Sequence, residues 1–390
     1  MARKTKKTGE EPEEAVAESG THVQTLEEKT SFPVAVVDGI FTEADQTTAN
    51  ILREATGEEK PRIFLIADQN VVNRTDGLGT RIGRFVQANG MSLAAKPVVF
   101  GGGEKIKSDN LQSVAMISSA LLDARIGVKD AVIVLGGGTM LDTAMYACSQ
   151  IRGGLKAVKV PTTPAAMVEA AFSTTAAINA STIKDAYKVR ATPAASLIDP
   201  AFTATVLDGV WRGGIGEMVR HAAVQDAGLL GDISKCACAL KSRDGALMED
   251  FIRRSVDSRA ANGYTDFALW SAERLESMSG FRLPHGYAVA IAICIECAYA
   301  VESGLLKERD QETICRTLAD SGALDGLAHS KHLLAQADNL LKGLDGWALS
   351  TGGFSRTLPM KAGKGAVVAE ADREIYKNTL KEFLAASFGE

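Results

Sequence analysis

Long apolar runs are missing from this sequence. The longest, Ala288 to Ala300, falls short of the roughly 20 residues a bilayer crossing needs and carries Glu296, so no membrane span is expected. No apolar segment follows the basic N-terminus, so no secretory signal is expected and a cytoplasmic location is the simple reading. Aromatic residues make up only 6% of the chain, which argues against an all-β design, whereas abundant Ala and Gly suit helices packed closely on a sheet. Charge of one sign is also lacking. The net charge is −5 with no Lys/Arg stripe, so no nucleic-acid partner is expected and a small molecule is. Six cysteines are few for 390 residues. Cys236/Cys238 and Cys294/Cys297 resemble half of a thiolate metal site, but Cys294 and Cys297 sit in an Ala/Ile-rich helical run, where small buried thiols are ordinary packing residues.

At this length two domains are the default. Residues 1–30 have almost no bulky apolar side chains to offset the entropy of folding and read as a disordered tail. From Phe32, short β-branched runs (Val34 to Val37, Ile63 to Ala67, Pro97 to Phe100, Ala131 to Leu135, Ala157 to Val160) alternate with helical spacings at Ala44 to Ala55, Thr80 to Asn89 and Asn110 to Ala124. That order predicts an α/β domain over 31–200, with a Rossmann-like parallel sheet. Beyond Ala201 strand-like runs give way to Ala/Leu/Glu-rich segments at Ile215 to Leu229, Ala246 to Asn262, His285 to Glu302 and Lys307 to Ser321. A mostly helical domain is therefore expected over 201–390.

Four polar loops follow predicted strands: Asp68-Gln69-Asn70, Gly101-Gly102-Gly103-Glu104-Lys105-Ile106-Lys107, Gly136-Gly137-Gly138-Thr139 leading to Asp142, and Pro161-Thr162-Thr163. Glycines between a strand and a helix let backbone N–H groups approach a phosphate, and the helix N-terminus favours its charge. Any one of these loops could be an ordinary turn. Four at the carboxyl edge of one parallel sheet point to a nucleotide.

The order of DQN, GGEKIK, GGGTMLD, VPTT, then Gly216-Glu217 with Arg220, then Leu283-Pro284-His285-Gly286-Tyr287-Ala288-Val289 resembles the dehydroquinate synthase-like sugar phosphate cyclases over nearly the whole chain after the tail. Val37-Asp38-Gly39-Ile40-Phe41 and Asp266-Phe267 look more like the 2-epi-5-epi-valiolone synthase branch, which cyclises sedoheptulose 7-phosphate. The resemblance implies NAD held by Asp68, Asn70, Glu104, Lys107, Gly137, Gly138, Thr139, Asp142, Thr162, Thr163 and Thr205. It implies a reaction in which an alcohol is transiently oxidised, phosphate leaves, the ketone is reduced again and an intramolecular aldol closes the ring. It also implies a divalent metal, zinc or cobalt, on one Glu and two His, and a homodimer.

The metal set departs from that pattern. Glu217 and His285 match, but the position sixteen residues before His285, a ligating His in the family, is Leu269; a second His four residues on corresponds to Glu273. A small register shift could bring Asp266 or Glu273 to the ion. Near the substrate a Lys becomes Thr175, an Asp becomes Glu169, Lys184 keeps its place beside Asp185, and a Lys becomes Arg220, a planar fork instead of a point charge. Expected roles are Glu217 and His285 as residual ligands or an acid/base pair, Lys184 and Arg220 as phosphate anchors, and Glu169 and Glu273 near the substrate. His221 reads as a polar residue on a helix face, or as a recruit to the site; His329 and His332 read as solvated. Three functions fit: an NAD-dependent cyclase acting on a sugar phosphate or cyclitol-type substrate with altered or absent metal dependence, a non-catalytic NAD-binding homologue, and an NAD-dependent polyol or alcohol dehydrogenase.

Overall fold

Strands buried on both faces need continuous apolar runs, and the computed structural model of the chain, described here over residues 23–25 and 30–389, places them where those runs fall. The expected disordered tail lies almost wholly outside the described residues. A seven-stranded parallel sheet contains β1 (Val34–Val36), β2 (Arg62–Asp68), β3 (Ser92–Leu93), β4 (Val98–Phe100), β5 (Ala131–Gly136), β6 (Ala157–Pro161) and β9 (Ala195–Ile198). Its order is β1-β9-β6-β5-β2-β3, with β4 also pairing β2. Between β6 and β9 an antiparallel hairpin of β7 (Thr175–Ala180) and β8 (Ile183–Arg190) leaves the sheet.

From β2 the chain runs to the β3/β4 edge, then returns to β5 on the other side of β2 and continues outward to β6 and β9. The winding direction therefore reverses between β2 and β5. In such a sheet the crevice opens at the carboxyl ends of those two strands, which here carry Asp68 and Gly136. A Cβ on Gly136 would stand 3.3 Å from Asp68 Cβ, so the two loops touch.

Phe32–Glu390 forms one compact unit, in which the last sheet strand ends at Ile198 and a helical half begins with the helix Asp208–Gln225. The sequence reading of one helical run from Ile215 to Leu229 is corrected. Asp226 leaves helical geometry, and its carboxylate accepts from Leu229 N as the cap of a second helix, Ala227–Lys241. Strands also do not disappear after residue 201: β10 (Arg356–Lys361) and β11 (Lys364–Val368) form a second hairpin. The apolar helix His285–Glu302 is 72% buried, so its hydrophobicity faces the core of the helical half.

Helix Asp208–Gln225 is held at very close approaches through its own Gly213, Gly214 and Gly216 and through Gly286 of the helix His285–Glu302. A Cβ on Gly214 would lie 2.2 Å from Pro164 Cβ, one on Gly216 2.9 Å from the Gly286 carbonyl, and one on Gly286 2.1 Å from Gly213 Cα. The crossing of the helices Asp208–Gln225 and His285–Glu302 at Gly213, Gly216 and Gly286 sets Glu217, next after Gly216, and His285, just before Gly286, against each other. Gly286→Ala is expected to cost roughly 3 kcal/mol or more, because backbone atoms cannot yield as a side chain can. Gly346, in the helix Ala337–Thr351 with nothing within 4 Å of an added Cβ, is the control: Gly346→Ala is expected to be neutral or to stabilise by up to about 1 kcal/mol. Thermal or urea unfolding of the two variants checks both.

Candidate active site

The four loops meet as neighbours, since they follow β4, β2, β5 and β6 in adjacent positions of the sheet. The helix Gly138–Gln150 starts behind Gly137 with no side-chain cap and no acidic residue in its first turn, leaving its first N–H groups for an anion. Side chains are excluded from this cradle. A Cβ on Gly102 would stand 1.9 Å from Asp68 Oδ2, and one on Gly137 3.2 Å from Thr163 Cγ2. Thr162 is buried and its hydroxyl has no hydrogen-bond partner, which suits a ligand group supplied from the crevice. A dinucleotide fits these features.

Other residues expected at the nucleotide do structural work at the same edge. Asp68 accepts from Asn70 N and Asn70 Nδ2, capping the short helix Gln69–Arg74, while Asn70 itself is exposed. Thr163 accepts from Ala166 N as cap of the helix Pro164–Val168. Thr205 donates to Phe202 O within the turn after β9, one strand beyond β6. Thr139 is half-buried in the first turn behind Gly138. Lys107 is buried between Asp142 (2.5 Å) and Asp185 (2.6 Å). Burial alone would lower its pKa, but Asp142, Asp185 and Glu104 outweigh burial and raise it, so it stays charged.

From the nucleotide edge a continuous line of charges runs into the helical half. Asn179 on β7 accepts from Asp185 N and donates to Glu104 Oε2 (3.0 Å). Glu104 Oε1 pairs with Lys184 Nζ at 2.9 Å, and Lys184 pairs with Glu276 Oε2 at 2.7 Å. Glu276 Oε1 lies 2.8 Å from His285 Nδ1, and His285 Nε2 lies 2.9 Å from Glu217 Oε1. Glu217 Oε2 accepts from Arg220 Nε (2.8 Å), and Arg220 Nη2 donates to Glu169 Oε2 (2.8 Å), which also lies 2.6 Å from His221 Nε2. The β7–β8 hairpin is the bridge between the two halves of this line, since it supplies Asn179, Lys184 and Asp185.

Of the expected catalytic residues, the structure joins Lys184, His285, Glu217, Arg220 and Glu169 in this network. Glu273 lies one helical turn before Glu276 on the helix Leu269–Met278. It is half-buried, and burial first, then the Asp185 and Glu276 carboxylates, push its pKa up to about 7 against the pull of Lys188 and Lys184. Glu276 was not anticipated, although a second acidic residue three positions after Glu273 and nine before His285 was the available signal. His221, weighed as a helix-face residue, is buried against Glu169. His329 and His332 are exposed.

The roles expected of two cations need correcting. Arg220 is 0% exposed, with Nε on Glu217, Nη2 on Glu169 and Nη1 donating to Thr265 O at 2.7 Å. Lys184 is enclosed by Glu104 and Glu276. Each is already matched to carboxylates of the protein.

The donors do not fit a divalent ion on Glu217 and His285. Leu269 packs in the core, and Asp266 accepts from Thr357 N at 2.8 Å, so neither that position nor a register shift through Asp266 supplies a ligand. Both Glu217 oxygens are engaged. His285 has a carboxylate against each ring nitrogen. Burial pulls its pKa down, but Glu276 and Glu217 outweigh burial and raise it to about 10, so the two carboxylates favour the protonated ring.

Comparison with known proteins follows the same two halves. Residues 97–212 match the 3-dehydroquinate synthase N-terminal family and residues 214–337 the 3-dehydroquinate synthase C-terminal family. The 3-dehydroquinate synthase of Jannaschia sp. (strain CCS1) is 26% identical over 372 residues, covering 91% of this chain and 96% of that protein. That of Pyrobaculum islandicum is 27% identical over 260 residues, 64% of this chain and 75% of that protein. Among solved structures, ValA, the 2-epi-5-epi-valiolone synthase of Streptomyces hygroscopicus subsp. jinggangensis 5008 with NAD+ and Zn2+ bound, superposes with a TM-score of 0.80 at 21% identity, covering 94% of this chain and 99% of that one. A 2-deoxy-scyllo-inosose synthase complexed with carbaglucose-6-phosphate, NAD+ and Co2+ superposes with a TM-score of 0.73 at 17% identity, covering 90% and 96%. At these identities the two structures show a shared fold.

Glu276 gives the network a definite pH signature. Burial raises its pKa, but Lys184 and His285 outweigh burial and bring it from the usual 4.5 to about 2. As pH falls the unfolded chain therefore takes up this proton first, so the stabilisation is complete above about pH 4.5 and is lost as pH falls through about 2. Glu276→Gln is expected to lower stability at pH 7 by roughly 1–3 kcal/mol, since Lys184 and His285 each lose one of two carboxylate partners and keep the other, Glu104 and Glu217. The gap to wild type should close in acid, as read by denaturant unfolding across pH.

Proposed function

Because this chain belongs to the dehydroquinate synthase-like family of sugar phosphate cyclases, we propose that it is an NAD-dependent carbon–oxygen lyase that eliminates phosphate from a sugar phosphate and closes a carbocycle. The observation that carries this reading is the unbroken line of charges joining the nucleotide edge at Glu104 to His285 and Glu217. A protein that only bound NAD would not require proton-carrying groups held in register with the cofactor loops, and nor would a simple alcohol dehydrogenase require so many.

NAD, held in the glycine cradle, would supply a reversible hydride acceptor. The N–H groups of Gly138 and its first turn would hold its pyrophosphate, and the Thr162 hydroxyl and exposed Asn70 would be available to its other polar groups. His285, whose side chain is 37% exposed, is the member of the charged line that faces the cleft. It holds protons at Nδ1 and Nε2 against Glu276 and Glu217, which keep its ring oriented for a substrate oxygen. Glu273, with a pKa of about 7, can both take and return a proton near neutral pH, as removal of a C–H proton and later protonation require. With Lys184 and Arg220 committed to carboxylates, exposed Lys188, on the same face of β8 as Lys184, is the cation proposed to receive the phosphate. The ValA and inosose synthase structures support a sedoheptulose 7-phosphate-like or hexose 6-phosphate-like substrate.

Phosphate release with added NAD, across sedoheptulose 7-phosphate, the dehydroquinate synthase substrate and glucose 6-phosphate, tests the reading. Release with one substrate and no net NADH is expected; net NADH from an unphosphorylated alcohol, without phosphate release from any of the three, would contradict it. His285→Asn is expected to lower kcat by roughly 10²–10⁴-fold, as loss of a positioned proton carrier does, while the affinity for NAD, measured by calorimetry, stays that of the wild type.

A further inference from the structure

Glu169, Glu217 and His221 bring three ligand atoms of the kinds that bind zinc within 4.8 Å of one another, buried or half-buried. This cluster differs from the Glu217/His285 pair that the family pattern implies, and a cation already stands in it. Arg220 Nη2 is 2.8 Å from Glu169 Oε2 and 3.1 Å from His221 Nε2, and Nε is 2.8 Å from Glu217 Oε2. We infer that the Arg220 guanidinium is the resident cation of this centre and keeps a divalent ion out of it.

A guanidinium suits that place for reasons an ammonium does not. It remains charged under all working conditions and offers five N–H donors in a fixed plane. Three of its nitrogens are used in three directions, on two carboxylates and the Thr265 carbonyl, and no part of the side chain reaches solvent. An ion entering between Glu169 and Glu217 would have to displace these charge-assisted bonds or stand within contact distance of a like charge, and both are unfavourable where the dielectric is low. Arg259 adds further positive charge, with Nε 3.9 Å from Glu169 Oε2. Leu269, packed into the core, offers no nitrogen that would tip the balance toward a metal.

Arg220 is thereby a positioning residue. It fixes one Glu217 oxygen and leaves the other for His285, so that a side-chain N–H, not an ion, is the electrophile facing the cleft. That consequence for turnover rests on the cyclase reading. The exclusion of the ion does not, so the test measures metal binding and can fail independently of any phosphate-release result.

The experiment is titration of the full chain, freed of metal by chelator and dialysis, with Co2+ and with Zn2+, followed by calorimetry and by the visible absorption of Co2+. Wild type is expected to take up no stoichiometric ion at this centre. Arg220→Ala, shown to be folded by circular dichroism, is expected to gain one equivalent, which is lost again when His221→Gln is added. One equivalent bound by wild type and lost in Glu217→Gln overturns the inference, as does a folded Arg220→Ala that binds no ion. Metal that persists in Glu217→Gln lies elsewhere and agrees with it. Should Arg220→Ala not fold, the wild-type and Glu217→Gln titrations decide alone.

Discussion

Placing several full charges in a protein interior is unfavourable unless each finds an opposite charge at hydrogen-bonding distance, and the line from Lys107 to Glu169 satisfies that condition at every step. Carboxylates and cations alternate from Glu104 to Glu169, and the members come from the glycine loop after β4, the β7–β8 hairpin, three helices of the second half and, for Glu169, the end of the helix Pro164–Val168. Loss of one interior member takes one of two partners from each neighbour. The sheet and the helical half are therefore tied to a single arrangement of the cleft, independently of the apolar packing on either side.

The close crossing of the helices Asp208–Gln225 and His285–Glu302 makes this line possible. Glycines at the contact let backbones meet, and the first polar residues beyond the contact are Glu217 and His285. The same helix then delivers Arg220 and His221 to Glu169, one and a fraction of a turn further on. Where members of the family are expected to hold a metal, this chain has a hydrogen-bonded cluster closed by its own guanidinium. Leu269 and Arg220 are consistent with each other in that light: one removes a ligand, and the other ties two carboxylates together through a planar fork.

Much of this was legible in the sequence. The central strands announced themselves because a doubly covered parallel strand is apolar throughout, and the four polar loops follow from their ends. The β7–β8 hairpin was not legible, since β8 alternates polar residues and its pairing leaves it largely outside the core. Glu276 was missed for a different reason: its partners, Lys184 and His285, are distant in sequence, and only the fold brings them together. Arg220 was recognised as a site residue, but its partners Glu217, Glu169 and the Thr265 carbonyl were not legible, because spacing along a helix says which residues share a face and not which charges meet that face. Asp226 illustrates the local version of the same limit, as one capping carboxylate divided a run whose apolar periodicity was continuous.

The measurement that bears most directly on the whole account is a crystal structure of the chain with NAD bound. The account predicts the pyrophosphate on the N–H groups behind Gly137, the nicotinamide between the β2 and β5 loops and His285, and Arg220 still spanning Glu217 and Glu169. NAD bound away from the glycine cradle, or Arg220 turned out toward the cleft with Glu217 and His285 parted, would contradict it.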